Sequence, residues 1–311
     1  MTIPQRVRLV EVGPRDGLQN EAVAAPVAVR VRLIEMLAEA GLQNIEAGSF
    51  VPEKLIPQMA QTGAVLAALK PHVRARISVL APNSRGFTDA VAAGAKEIAI
   101  LTAASESFSQ RNMNCGIAES LERARALASA ARISDIRLRG YISCVLGCPF
   151  EGHVEAERVA EIAVELHRLG CDEISLGDTI GVGTPLAARG LVERVAKDVP
   201  LPRLAGHFHD TYGQALANVF ACLETGLAVF DCSVAGLGGC PFAPGATGNV
   251  STEDVVYMLN GCGVETGVDL DRLLDAGDFI CKFLGQPPRG RVALARAARE
   301  GALRACVPGQ R

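Results

Sequence analysis

Short apolar, strand-like runs alternate with amphipathic helical segments along most of the chain, and this alternation limits the fold more than any other feature. The runs begin near Arg8, Asn44, Arg76, Glu97, Leu138, Glu173, Arg203 and Val229, which makes eight βα units. A helix between two strands is the usual crossover that lets them lie parallel. Eight such units point to an α/β closed barrel, the TIM (β/α)8 barrel, with a doubly wound open sheet as the alternative. Several helices close on Gly before the next strand, at Ala40-Gly41, Ala93-Gly94, Leu169-Gly170 and Thr225-Gly226, where a left-handed residue ends a helix at little steric cost. The barrel is expected over about 7–250. Additional C-terminal helices over about 251–311 are read at Thr252 to Asn260, Leu270 to Leu284 and Val292 to Ala305, the first capped by Ser251-Thr252-Glu253-Asp254. We read them as wrapping the barrel within a single catalytic domain, 1–311; a small separate subdomain is the other arrangement.

Composition narrows the function classes. With 49% hydrophobic and 21% charged residues, the 311-residue chain has ample apolar surface for a core. A net charge of -3 and the lack of a long Lys/Arg block argue against nucleic acid as a partner. No apolar run approaches the roughly 18 residues a membrane span needs, and we see no signal or transit segment ahead of the first strand. The ten cysteines are scattered, often inside apolar runs such as Tyr141-Ile142-Ser143-Cys144-Val145, and read as reduced thiols in a cytoplasm. Cys144 and Cys148 lack a second pair at zinc-ribbon spacing. Association into a homodimer is expected, and redox control through Cys306 is left open.

In such barrels chemistry gathers at the C-terminal strand ends. His207-Phe208-His209-Asp210 ends the seventh run, and residues two apart on a strand share a face, so His207 and His209 present two imidazoles side by side. Asp16, after the first run, adds a hard anionic oxygen and completes a two-His, one-carboxylate set for a divalent cation. Its neighbour Arg15 brings a permanent positive charge suited to an oxygen that becomes negative in a transition state. Cys240, in the Gly-rich loop Gly236-Leu237-Gly238-Gly239-Cys240-Pro241, is either a proton-exchanging thiol or a small buried apolar group. Glu46 and Asp178 can orient Arg15, accept protons or cap the helices that follow them. Asn249 can offer an amide oxygen to a metal or serve as a turn residue.

Together the strings Gly13-Pro14-Arg15-Asp16-Gly17-Leu18-Gln19-Asn20-Glu21, Ser175 to Pro185, His207 to Asn218 and Ser233 to Pro241 are specific. The chain resembles the 3-hydroxy-3-methylglutaryl-CoA lyase family from about Val7 to about Leu284. The resemblance implies a TIM barrel that binds Mg2+ or Mn2+ through Asp16, His207, His209 and Asn249. It implies cleavage of the acyl-CoA to acetyl-CoA and acetoacetate in leucine breakdown. Arg15 would then face the enolate oxygen, Cys240 would return the final proton from a loop closing over the site, and His207 would take a second role in proton transfer. Glu46, Asp178 and Glu253 match family positions near the reaction centre. Arg111 and Asn112 match coenzyme A contacts, with Arg111 where the family more often has Lys. Two further departures are Phe208, expected to face away from the metal, and Gly48, expected to leave room at the barrel mouth. The competing readings are a lyase for a longer branched analogue such as 3-hydroxy-3-isohexenylglutaryl-CoA, a Claisen condensing enzyme of the same fold, and a non-catalytic barrel that senses an acyl-CoA or a metal.

Overall fold

The computed structural model describes residues 3–71, 73–239 and 248–305, with side chains described up to 299. Cys240 and Cys306 therefore lie outside the described residues. The eight strands are β1 (Arg8–Glu11), β2 (Asn44–Ser49), β3 (Arg76–Leu80), β4 (Glu97–Ala103), β5 (Arg137–Ser143), β6 (Glu173–Asp178), β7 (Leu204–Phe208) and β8 (Val229–Cys232). They pair in parallel in sequence order, and β8 returns to β1 in the register Arg8–Val229 to Glu11–Cys232. This closure removes the open-sheet alternative. Helices α1 (Val27–Glu39), α2 (Thr62–Ala68), α3 (Ser84–Ala92), α4 (Glu106–Met113), α5 (Ile117–Ile133), α6 (Ala156–Leu169), α7 (Pro185–Val195) and α8 (Ala215–Leu223) form the crossovers.

One unit departs from simple alternation: β4 is followed by both α4 and α5. Ser105 caps α4 by accepting the Phe108 amide at 3.2 Å, and the helix ends at Asn114 in the left-handed region (φ 51°). The chain thus turns once at the barrel mouth before α5 crosses back.

Strand alternation sorts the chemistry. On β7, Leu204 and Phe208 point outward into the main apolar layer under the helices, while His207 points into the barrel. On β5 and β8 the same parity sends Leu138, Ile142 and Phe230 outward and Arg139, Tyr141 and Asp231 inward. The apolar layer between strands and helices is therefore the main core, and much of the barrel interior is polar. Phe208 faces away from the site, as strand parity requires.

The chain ends in α9 (Thr252–Gly261), α10 (Leu270–Leu284) and α11 (Arg291–Ala305). Ser251 caps α9 through the Asp254 amide, and Asp254 in turn accepts the Arg291 and Val292 amides at the start of α11. The segment before α10 is stitched to α1 by Asp269 N–H donating to the Ala40 carbonyl at 2.8 Å. Among the described residues no helix is long and apolar enough to cross a membrane, and eight cysteines carry free thiols.

The left-handed residues that end helices fall at the expected Gly positions, but their surroundings differ. At Gly41 (φ 100°) a Cβ would lie 2.2 Å from the Gly267 carbonyl oxygen, whereas at Gly94 (φ 87°) it would meet nothing within 4 Å. Gly94→Ala should thus cost about 1–2 kcal/mol of backbone strain, and Gly41→Ala distinctly more because a backbone carbonyl has to shift. Urea denaturation of both variants checks this; equal losses would show that the α1 turn is not held against the segment before α10.

Candidate active site at the strand ends

A cavity of about 130 Å3 opens at the C-terminal strand ends, lined by Arg15, Asp16, Gln19, Asn20, Tyr141, His207 and His209 among its polar groups and by Leu101 and Phe108 among its apolar ones. Arg15 and Asp16 belong to a π-helical turn, Gly13–Gly17, in which both the Arg15 and the Gly17 amides donate to the Val12 carbonyl at 3.1 Å. Such turns are rare and occur frequently at functional sites. The turn is anchored from below by Glu11, whose carboxylate accepts the Gly13 amide at 2.8 Å.

Arg15 is held on two sides. Its Nε donates to Glu46 Oε2 at 2.5 Å and its Nη1 to Asp16 Oδ1 at 2.6 Å, while Tyr141 donates its hydroxyl to the same Glu46 oxygen at 3.3 Å. Burial works against the guanidinium charge, but Glu46 and Asp16 outweigh it and keep Arg15 protonated. Glu46 therefore orients Arg15. Burial also opposes charge on Asp16, but Arg15 and the two imidazoles hold that carboxyl well below the usual range.

The other oxygen of Asp16 faces a cluster. Oδ2 is 3.9 Å from His207 Nε2 and 3.8 Å from His209 Nε2, and it accepts the Asn249 amide Nδ2 at 2.8 Å. These imidazole distances exceed a hydrogen bond, yet one ligand atom from each of Asp16, His207 and His209 falls within 4.8 Å of the others. Among the described residues this is the one grouping of His, Cys, Asp and Glu with that property. The donor set fits a divalent cation, since ligand bonds of about 2.0–2.2 Å from a shared centre span such gaps. Asn249 is brought in by a bridge beside His209, with Val250 N–H donating to the Phe208 carbonyl at 3.0 Å. As a ligand it would use Oδ1, which requires the amide to turn over, an orientation set by the hydrogen-bond partners present.

His207 is oriented from behind. Its Nδ1 is 3.1 Å from Asp231 Oδ2, an anionic acceptor that favours a proton on Nδ1 and turns Nε2 toward Asp16. Asp231 is itself bound by both Nη atoms of Arg139, at 3.0 and 2.6 Å, and by Ser175 Oγ at 2.8 Å. Burial again opposes charge, and Arg139 with His207 holds the Asp231 carboxyl well below the ordinary range. Arg139 also donates to Glu173 at 2.7 Å, and Glu173 pairs with Arg8. Sequence reasoning missed this chain of Asp231, Arg139 and Glu173. The available signal was parity: each is a charged residue at an inward position of its strand.

The remaining expectations divide. Asn112 lines the cavity, but Arg111 is exposed on the same helix with its guanidinium 4.2 Å from the Phe150 ring centroid. Asp178 accepts the Val182 and Gly183 amides at 3.2 and 2.9 Å and does not touch Arg15, so it ties down the turn after β6. Glu253 lies beneath the loop after β8 and accepts the Ala235 amide at 3.0 Å, away from the cavity lining. Gly48 does not widen the mouth. A bulge between Glu46 and Ser49 turns it outward, where a Cβ would meet Arg30 Nη2 at 2.4 Å. Cys240 lies outside the described residues.

Closed barrel, inward polar residues and a two-histidine, one-carboxylate cluster beside a buried arginine define a TIM-barrel enzyme with a candidate cation site at its mouth. The HMGL-like family model matches residues 6–280, and the chain belongs to that family. It is 57% identical over 299 residues, 96% of this chain and 100% of the other, to the 3-hydroxy-3-isohexenylglutaryl-CoA/hydroxy-methylglutaryl-CoA lyase of Pseudomonas aeruginosa. It is 55% identical over 294 residues, 94% of this chain and 90% of the other, to the mitochondrial hydroxymethylglutaryl-CoA lyase of Rattus norvegicus. The crystal structure of hydroxymethylglutaryl-CoA lyase from Pseudomonas aeruginosa superposes with a TM-score of 0.94 at 57% identity, covering 96% of this chain and 100% of that one.

Two outcomes follow from these contacts. Asp231→Asn releases the His207 tautomer and should raise the Kd for Mn2+ by about 10–100-fold in a direct titration; unchanged affinity would mean that His207 is oriented by something else. Burial raises Glu11 from an ordinary 4.5 to about 7 and Glu253 to about 8, in each case against the hydrogen bonds the carboxyl accepts. Both acids hold their protons more tightly folded than unfolded, so their contribution is complete below 4.5 and is lost as pH rises through 7 and 8. Denaturant stability should therefore fall between about pH 5 and 8 and fall less steeply in Glu253→Gln; identical slopes would refute the assignment.

Proposed function

We propose that the chain cleaves 3-hydroxy-3-methylglutaryl-CoA to acetyl-CoA and acetoacetate. The observation that carries this reading is the convergence of Arg15, Asp16, His207 and His209 on one cavity, in a chain 57% and 55% identical to proteins named as lyases for this acyl-CoA. Asp16, His207 and His209, with Asn249 once its amide is turned, would hold Mg2+ or Mn2+, which when bound supplies Lewis acidity toward a substrate hydroxyl.

The chain's own groups do the rest. Glu46 and Asp16 fix the Arg15 guanidinium in one orientation, so its charge is already in place where the thioester oxygen becomes an enolate. His207 is assigned a second part in proton transfer on the family resemblance; with its Nε2 on a cation, the one proton it can exchange is that on Nδ1, which faces Asp231. Cys240 is assigned the proton returned to the enolate carbon, on the family resemblance. Asn112 and Arg111 on α4 are assigned to coenzyme A. The turn-binding Asp178 and the loop-supporting Glu253 act as positioning residues.

A longer branched substrate is a second reading, favoured by the name of the Pseudomonas aeruginosa relative and by the apolar Leu101 and Phe108 in the cavity lining. We further propose one catalytic domain, a homodimer, and a place in leucine degradation in the cytoplasm. The single domain rests on the bonds from α9 and its flanks to β8 and α1; the cytoplasm rests on the free thiols.

A side-by-side assay of both acyl-CoAs, with products identified by mass and with and without EDTA, tests the proposal. Cleavage should be lost with EDTA, restored by Mg2+ or Mn2+, and reduced by at least about 100-fold in Asp16→Asn. Consumption of acetyl-CoA with a 2-oxo acid, and no cleavage of either ester, would make the protein a condensing enzyme instead.

A further inference from the structure

The stem of the Gly-rich loop after β8 has an unusual set of hydrogen-bond donors. Five successive carbonyls, from Ala235 to Gly239, each accept a bond from another part of the chain. Arg289 supplies three of these bonds: its backbone amide to Ala235 at 3.0 Å, and its Nη1 to Gly238 at 2.6 Å and, more weakly, to Gly236 at 3.4 Å. Asn249 Nδ2 donates to Leu237 at 3.2 Å and Asn20 Nδ2 to Gly239 at 3.0 Å. The stem itself is constrained, with Ala235 at φ 58° and Gly238 at φ 115°.

Arg289 also reaches the other side of the barrel seam. Its Nη2 donates to Glu21 Oε1 at 3.1 Å, and Gln286 Nε2 donates to Glu21 Oε2 at 3.0 Å. Glu21 follows the turn that carries Arg15 and Asp16, while the stem leads toward Asn249. Gly238 is in close contact with both partners: a Cβ there would lie 2.7 Å from Asn249 Nδ2 and 3.5 Å from the Asp16 carbonyl. Arg289 stands in the Pro287-Pro288-Arg289-Gly290 link between α10 and α11, where two prolines limit the backbone.

We infer that Arg289 is a positioning residue, a clasp from the C-terminal extension that joins the β1 loop to the β8 stem and so sets Asn249 against Asp16. A guanidinium suits this task because its fork directs separate N–H groups at a carboxylate and at carbonyls at the same time. The inference rests on the lyase reading for its catalytic consequence, though not for its structural one.

The test uses the full-length protein and the variants Arg289→Met, Arg289→Lys and Glu21→Gln. Hydrogen exchange of the amides at 234–239, direct Mn2+ titration, melting temperature and steady-state cleavage are measured together. Arg289→Met should speed exchange at 234–239 with little change elsewhere, weaken Mn2+ binding, and lower kcat by about 10–100-fold while KM for the acyl-CoA moves little. Arg289→Lys should recover part of each effect, because an ammonium reaches Gly238 but cannot serve the stem and Glu21 together. Glu21→Gln should show the same signature in weaker form. Wild-type exchange, Mn2+ affinity and kcat in Arg289→Met would overturn the inference, as would faster exchange spread evenly over the barrel, which marks a general stabiliser. A wild-type protein inactive toward both acyl-CoAs would refute the substrate instead, and the exchange and Mn2+ arms would still decide the role of Arg289.

Discussion

The arrangement at the barrel mouth depends on one buried carboxylate. Asp231 is reached by both Nη atoms of Arg139, by Ser175 and by His207, so groups from β5, β6 and β7 converge on a single β8 side chain. Taking such charges out of water costs more than a simple ion pair returns, and buried pairs of this kind are often no more stable than apolar replacements. What the pair supplies is orientation. An imidazole held through Nδ1 by an immobile carboxylate has a favoured tautomer and one direction for Nε2, and that direction is toward Asp16.

This expense is tolerable because the barrel keeps its stabilising surface elsewhere. Leu138, Ile142, Ile174, Leu176, Phe208 and Phe230 face the helices and join the large apolar layer there. Interiors of such barrels are commonly filled by branched aliphatic residues. Here Arg8, Arg139, Glu173, Ser175 and Asp231 occupy inward positions and satisfy one another. Below the mouth, then, a bonded polar network shares the interior with the small apolar cluster of Val10, Val12, Ala205 and Val229, and it holds His207 from beneath while Glu46 holds Arg15 from the side.

The fold was legible because both of its periods are written in the chain. Strand starts at Asn44, Arg76, Glu97, Glu173 and Val229 coincide with the observed ones, and the pairing of His207 with His209 needed only strand parity. Sequence spacing is silent on what a local irregularity does. Gly48 follows Glu46 by two and by parity should share its face, yet the bulge before Ser49 turns it toward Arg30. Asp178 was ambiguous for another reason: a carboxylate at a strand end is equally suited to catalysis and to capping, and its bonds to the Val182 and Gly183 amides are visible only once the turn is folded. Asp231 and Arg139 were readable in principle, as charges at inward strand positions, but their partnership is a contact between residues 92 apart.

The same distance in sequence explains why the seam between β1 and β8 carries so many extra bonds. Closing the barrel brings Glu11 beside Cys232, a contact across more than two hundred residues that no local turn can set. The site straddles that seam, with Asp16 on one side and Asn249 on the other, so a small slip between the two strands would move one side chain relative to the other. Glu11 spans it directly, accepting the Val234 amide at 2.9 Å and the Thr252 hydroxyl at 2.6 Å, while its other contact fixes the turn before Arg15. Glu253 holds the next amide along, at Ala235. Both carboxyls are buried and carry raised pKa values, and they are tolerated there because each fixes the backbone of a strained stem. The helices after β8 are consequently part of the site's geometry: α9 brings Thr252 and Glu253 to the seam, and the α10–α11 link brings the backbone amide of Arg289 to Ala235 on the stem.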